Sequence, residues 1–239
     1  MYLIYTCMKF LLIIFFIVNT LFSYSQIEIP NTNYIQYKYY SVQYDESYKC
    51  AIWSAYSFTL SDTTRFVNRY KKYIRDKDIE IQANAKDYYK SGYDKGHLTP
   101  AANFRFNLIA SKEVNYYTNI TPQYPSFNRG IWKKLENQVR RWVLEYDTLY
   151  IVTGPIFVGE LTTIGNDVVV PNFYYKMIIA KKDTTYYSIA FLIPNEKSNK
   201  TIFDYQVTID FIETITSIDF FYKLDDQIEL ILESKNTIN

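Results

Sequence analysis

The clearest pattern of apolar and polar positions lies in NRGIWKKLENQVRRWVLEY, residues 128–146. Trp132, Leu135, Val139, Trp142, Val143 and Tyr146 recur at steps of three and four, which predicts a helix with one apolar stripe. At roughly 100° per residue, Glu136 and Arg140 fall on the edge of that stripe, one turn apart, where a charged side chain is half-buried. Elsewhere the period shortens. Residues 34–58 are tyrosine-rich and partly alternating, and CAIWSAYSFTL reads as a strand entering the core. TLYIVTGPIFV, DVVVPNFYYKMIIA and TTYYSIAFLIP are strand-like too, the last two joined by KKDTT as a hairpin. VTIDFIETITSIDFF, with Ile209, Phe211, Ile212 and Ile215, opens a final helix, whereas polar residues 62–90 suit an irregular excursion. LTPAAN predicts a turn before a short helix. Strands interleaved with few helices, and a hairpin in place of a crossover, predict an α+β domain: a central, largely antiparallel sheet flanked by helices.

The N-terminus departs from this pattern. Lys9 is followed by an apolar run from Phe10 to Val18 and then by small polar residues around Ser23 and Ser25. That order predicts a secretory signal peptide over residues 1–25, and with it a secreted or periplasmic location with no stable membrane partner after cleavage. An uncleaved membrane anchor is the alternative, although the run is short for a membrane span. The remainder divides into a lead segment at 26–38, one domain at 39–233 and a tail at 234–239. Lys9 is the only charged residue in the leader, so 25 basic and 25 acidic groups remain of the 26 and 25 in the full chain. Any nucleic acid must then be gripped by local basic patches instead of a global positive field. Only Cys50 would be left after cleavage, which excludes a disulfide framework and marks it as a buried apolar residue.

A chain with 26 tyrosines and 16 phenylalanines uses histidine once, at His97 in SGYDKGHLTPAANF. Its imidazole is the one side chain suited by its ordinary pKa to general-base work near neutrality. Asn119 and Asn128, in YYTNITPQYPSFNRGIW, offer amide oxygens, hard neutral ligands for Mg²⁺ or Ca²⁺. Glu136 could hold metal-bound water, and Arg140 with Arg65 or Arg69 could grip phosphate oxygens. Each has a plainer use taken singly: a surface histidine, a turn asparagine, a helix pair. Together they suggest phosphodiester hydrolysis. A P-loop, a glycine-rich dinucleotide motif and a zinc ligand set are all missing from the sequence.

SGYDKGHLTPAANF followed by YYTNITPQYPSFNRGIWKKLE strongly resembles the DNA/RNA non-specific endonucleases of the ββα-metal (His-Me finger) type, a family of secreted bacterial nucleases and mitochondrial endonuclease G. AIWSAYSFTL and VVVPNFYYKMII are similar to further family strands, so the likeness spans roughly residues 40 to 230. The resemblance implies an endonuclease acting on DNA and RNA with little sequence preference. It implies Mg²⁺, with Mn²⁺ able to substitute, bound by Asn128. By position, His97 matches the general base, Glu136 the acid that orients metal-bound water, Asn119 the asparagine supporting the site and Arg140 the helix arginine near the phosphate. The upstream arginine matches Arg69, with Arg65 as the fallback, and Asp94 matches a structural or histidine-positioning aspartate. Lys95 stands where the family usually has arginine; it keeps the charge on a substrate-binding position but loses the planar fork. A homodimer and an inhibitor protein remain open as partners, and a catalytically silent nucleic-acid-binding protein is the rival reading.

Overall fold

The computed structural model describes residues 27–30 and 32–238, so the predicted signal peptide lies outside the described residues. Along the chain run β1 (Ile35–Gln36), β2 (Ser41–Asp45), β3 (Cys50–Thr59), the one-turn helix α1 (Ala85–Tyr88), β4 (Asp94–His97) and α2 (Leu108–Glu113). Then come β5 (Ile120–Gln123), α3 (Lys133–Trp142), β6 (Thr148–Ile156), β7 (Thr163–Ile164), β8 (Val168–Val169), β9 (Phe173–Lys182) and β10 (Thr185–Pro194). β11 (Gln206–Val207), α4 (Ile209–Thr216) and α5 (Asp226–Ser234) complete the set.

Seven strands form one sheet in the order β1-β2-β3-β6-β9-β10-β11, and each neighbouring pair is antiparallel. The α+β class with a largely antiparallel sheet is therefore the fold. β9 and β10 make the long hairpin, turning at Asp183, whose positive φ of 54° suits the tight reversal. DVVVPNFYYKMIIA does not run as one strand: it breaks at Pro171–Asn172, and its first part pairs as β8 with β7 in a separate ribbon.

Alternation along the strands gives the sheet two different faces. On β9, Tyr174, Ile178 and Ala180 join a core with Leu135, Val139 and Trp142 of α3. Tyr175, Met177 and Ile179 point the other way, into a core with Ile209 and Ile212 of α4, Leu232 of α5, and Ile27 and Ile29. Residues beyond α5 also join the sheet, where Thr237 and Ile238 donate backbone hydrogen bonds to Ser188 O.

β4 and β5 form a small antiparallel pair outside the main sheet, with His97 opposite Ile120 and Gly96 opposite Thr121. A π-helical turn at Phe127–Trp132 then leads into α3, which completes a ββα unit. This unit is bolted to the sheet by aromatic packing: Phe127 stacks on Trp132 and Tyr174 with centroids 5.2 Å apart in both pairs. The Tyr174 hydroxyl lies 2.9 Å from Thr121 Oγ1 and 2.8 Å from Pro122 O, tying β5 to β9. The polar stretch 62–90 is held at its middle by a parallel bridge between Ile74 and Tyr116.

Candidate active site

The ββα unit and the 62–90 excursion enclose a cleft of about 430 Å³. His97, Asn128, Glu136, Arg140, Arg69 and Lys95 all line it, together with Tyr73, Arg129 and Lys133. Six of the residues singled out in the sequence thus meet in one place. Asn119 and Asp94 stand behind it and Arg65 lies outside it.

His97 ends β4, and Gly96 before it has a reason to be glycine: an added Cβ would sit 2.1 Å from the Gln123 side chain across the pair. The imidazole is buried, with Nε2 3.2 Å from Asn115 Oδ1. Asn115 is itself fixed, its Nδ2 donating to Ser111 O at 2.7 Å and Tyr70 O at 3.3 Å. Only its oxygen is left for the histidine, so Nε2 must carry the proton and Nδ1 keeps its lone pair. Burial, with a smaller contribution from the nearby Arg69 charge, lowers the His97 pKa to about 4, against the opposing effect of the Asn115 bond. The group is therefore neutral at pH 7, as a base must be. Asn119 acts one step further back. Its Nδ2 donates to Thr99 O at 3.0 Å and to Val114 O at 2.9 Å, while its Oδ1 accepts from Thr99 N at 2.9 Å. That clamp fixes the backbone two residues beyond His97.

Asn128 projects from the π turn, where the wider helix sets it toward the cleft. Its Nδ2 donates to Asp94 Oδ2 at 2.9 Å, which leaves Oδ1 as the free atom. Asp94 is held in turn by a fork from Arg129, Nε to Oδ2 at 2.8 Å and Nη2 to Oδ1 at 2.5 Å. Burial alone would raise the Asp94 carboxyl, but the bonds from Arg129 and Asn128 hold it below its ordinary range. Asp94 is thus a bracket for Asn128 more than for His97.

Glu136 lies on the edge of the α3 stripe, as the periodicity predicts, and no hydrogen bond among the described residues engages its carboxylate. Burial raises its pKa, against the pull of Lys176, Arg140, Arg69 and Lys133. An uncommitted amide oxygen and an uncommitted carboxylate on one cleft are a donor set that fits a hard divalent cation with several waters retained.

Lys176 escaped the sequence reading because VPNFYYKMII looks like an ordinary strand. It is fully buried on β9, its Nζ 2.5 Å from Thr153 Oγ1 and 4.8 Å from the centre of the Trp132 ring. Burial lowers its pKa to about 8, while the Glu136 charge acts to raise it. Asn115 escaped as well, since its role depends on which carbonyls its amide meets. Lys95 is held by aromatic faces, with Nζ 5.2 Å from the Tyr73 ring centre and 5.4 Å from that of Tyr88. Arg140 donates to Asn103 Oδ1 at 3.0 Å and to Asn137, while Arg69 is exposed at the mouth.

A ββα unit with a buried neutral histidine opposite an asparagine and a glutamate defines a class of nuclease, and the chain belongs to the DNA/RNA non-specific endonuclease family, which matches residues 18–227. Its relatives include a mitochondrial nuclease of Saccharomyces cerevisiae, 30% identical over 185 residues, which cover 67% of this chain and 56% of the relative. The mitochondrial nuclease EXOG of Homo sapiens is 27% identical over 79% of this chain and 57% of its own length. Nuclease C1 of Cunninghamella echinulata is 29% identical over 81% of this chain and 84% of its own. Among solved structures, EndoG in complex with its inhibitor EndoGI superposes with a TM-score of 0.79 at 27% identity, covering 84% of this chain and 90% of that one. The chain spans little more than half the length of the first curated relatives it matches. The relatives in Saccharomyces cerevisiae, Schizosaccharomyces pombe, Danio rerio and Homo sapiens are named as mitochondrial nucleases, which overturns the secreted or periplasmic location expected from residues 1–25. The apolar run after Lys9 carries the export reading, and the correction rests on the names of the relatives alone.

Proposed function

We propose that the chain is an endonuclease that hydrolyses phosphodiester bonds of DNA and RNA with little sequence preference. The observation that carries this reading is the convergence of His97, Asn128 and Glu136 on one basic cleft. His97 accepts the proton of the attacking water at Nδ1, the nitrogen that Asn115 leaves free. Asn128 Oδ1 would hold a divalent ion, Mg²⁺ with Mn²⁺ as substitute, and Glu136 would orient water beside it. When bound, the ion neutralises charge on the phosphoryl and leaving oxygens. Arg69, Lys95 and Arg140 grip the backbone phosphates, contacts that carry no base information and so favour sequence tolerance. Arg65, outside the cleft, is left as a contact for a longer strand. The names of the relatives support a mitochondrial location, and EndoG bound to EndoGI supports an inhibitor as a partner class.

Digestion of plasmid and total RNA with and without EDTA tests the reading. Both substrates should be cut only with metal, and His97→Ala should lose about 10²–10⁴-fold in rate, the usual worth of a positioned base. Undiminished cleavage by that variant would refute the mechanism. Salt-dependent DNA binding with no metal-dependent cleavage would favour the silent binder instead.

A further inference from the structure

On the face of the sheet away from the cleft, α4 and α5 pack against each other and against β10. Asp210 and Glu213 lie on one side of α4, one turn apart, and Glu233 comes from the last turn of α5. One carboxylate oxygen from each of the three lies within 4.8 Å of the other two. Glu233 is only 8% exposed, and its Oε1 is buried with no hydrogen-bond partner. Glu229, one turn earlier on α5, has a buried Oε1 in the same condition. Burial first, and then the charges of Glu213, Glu229, Asp210 and Asp219, all acids, push the Glu233 carboxyl up to about 9. Like charges stacked at one-turn spacing and across a helix pair destabilise both helices. A buried carboxylate oxygen without a donor adds a desolvation cost. Lining a helix–helix contact with acids makes physical sense when something positive sits between them.

We propose that a divalent cation of Ca²⁺ size binds between α4 and α5, coordinated by Asp210, Glu213 and Glu233, with water filling the remaining positions. The donor set decides in favour of Ca²⁺: three carboxylates from two helices make an all-oxygen site of irregular geometry, which Ca²⁺ accepts, whereas Mg²⁺ demands a near-ideal octahedron at about 2.1 Å. Asp210 is exposed, which gives the ion a path from solvent and room for water ligands. The Glu213 carboxylate also accepts a 2.7 Å hydrogen bond from Phe220 N. The ion would thus join α4, α5 and the loop between them, and its role is cohesion of this layer instead of catalysis. Nothing in this site touches the nuclease reading.

Calorimetric titration of the full chain with CaCl₂ tests the assignment, using the wild type, Glu233→Gln, Asp210→Asn and Asn128→Ala. The wild type and Asn128→Ala should share one Ca²⁺ binding event of equal affinity, any further event in the wild type at the cleft being lost with Asn128, and Ca²⁺ should raise the melting temperature of both relative to EDTA. Glu233→Gln should lose the shared event and the melting shift it brings. Asp210→Asn alters an exposed side chain and so keeps the fold, and it should bind about 10-fold or more weakly, because the amide keeps an oxygen but removes a negative charge from the ligand set. Binding unchanged in both acid variants overturns the proposal. So does the absence of heat up to about 10 mM CaCl₂, above the 10⁻⁴–10⁻³ M range of weak calcium modules. A single binding event that survives Glu233→Gln but vanishes in Asn128→Ala moves the ion to the cleft and overturns it equally.

Discussion

At the scale of single residues, the proposed chemistry turns on how one imidazole is kept neutral and facing the right way. His97 is buried, its pKa lies near 4, and Asn115 fixes its tautomer. A base of this kind is already deprotonated well below neutrality, so its protonation should not limit the reaction until the medium is distinctly acid. The profile of kcat/KM against pH should therefore keep its acid limb near pH 4 instead of at the ordinary 6.5. Because the Asn115 bond acts to raise that pKa, Asn115→Leu should move the limb lower still. The same variant should lower kcat by about 10–100-fold, in line with the loss of an outer-shell orienting partner, with little change in KM. An acid limb at 6.5, or an Asn115→Leu enzyme with full kcat, would contradict the role given to this pair.

At the scale of elements, the ββα unit depends on a close approach and on a widened turn. Gly96→Ala would drive a methyl into Gln123, whose side chain is fully buried and has no room to yield. The two strands should separate, and overpacking of this kind typically costs about 1–3 kcal/mol. Thermal melting and activity should fall together, and an unaffected enzyme would mean that β4 and β5 yield easily. Much of this unit can be read in the sequence, because helix periodicity is local: it puts Leu135, Val139 and Trp142 in the core and Glu136 and Arg140 on its edge. What cannot be read depends on contacts far along the chain. Asn115 becomes an orienting group only through the carbonyls of Tyr70 and Ser111, and Lys176 only through Trp132 and Thr153. α5 is hidden for a related reason: its inward positions include Glu229 and Glu233, so the apolar stripe that would announce a helix is interrupted by acids.

At the scale of the whole molecule, a chain of nearly balanced charge sets five of its 26 lysines and arginines around one mouth. Of the five that line it, Arg129 is committed to Asp94, which leaves Lys133 to add a fourth contact to the proposed phosphate grip of Arg69, Lys95 and Arg140. Counterion release by four contacts gives a slope of log K against log salt near −3.6, about −0.9 per phosphate. Binding of a catalytically blocked His97→Ala variant to duplex DNA over a salt series measures this. A slope near zero or far steeper would mean that the cleft is not the main anchor. The sheet behind the cleft has a consequence of its own. Along β9, parity sorts the residues: Tyr174, Lys176 and Ile178 face the core beside the ββα unit and its cleft, and Tyr175, Met177 and Ile179 the core beneath α4 and α5. An alanine scan of this strand should read like a two-beat rhythm, with even positions weighing more on turnover and odd positions on melting alone. One strand would carry two separable traits, interleaved position by position, and each could be tuned by substitution with limited disturbance to the other.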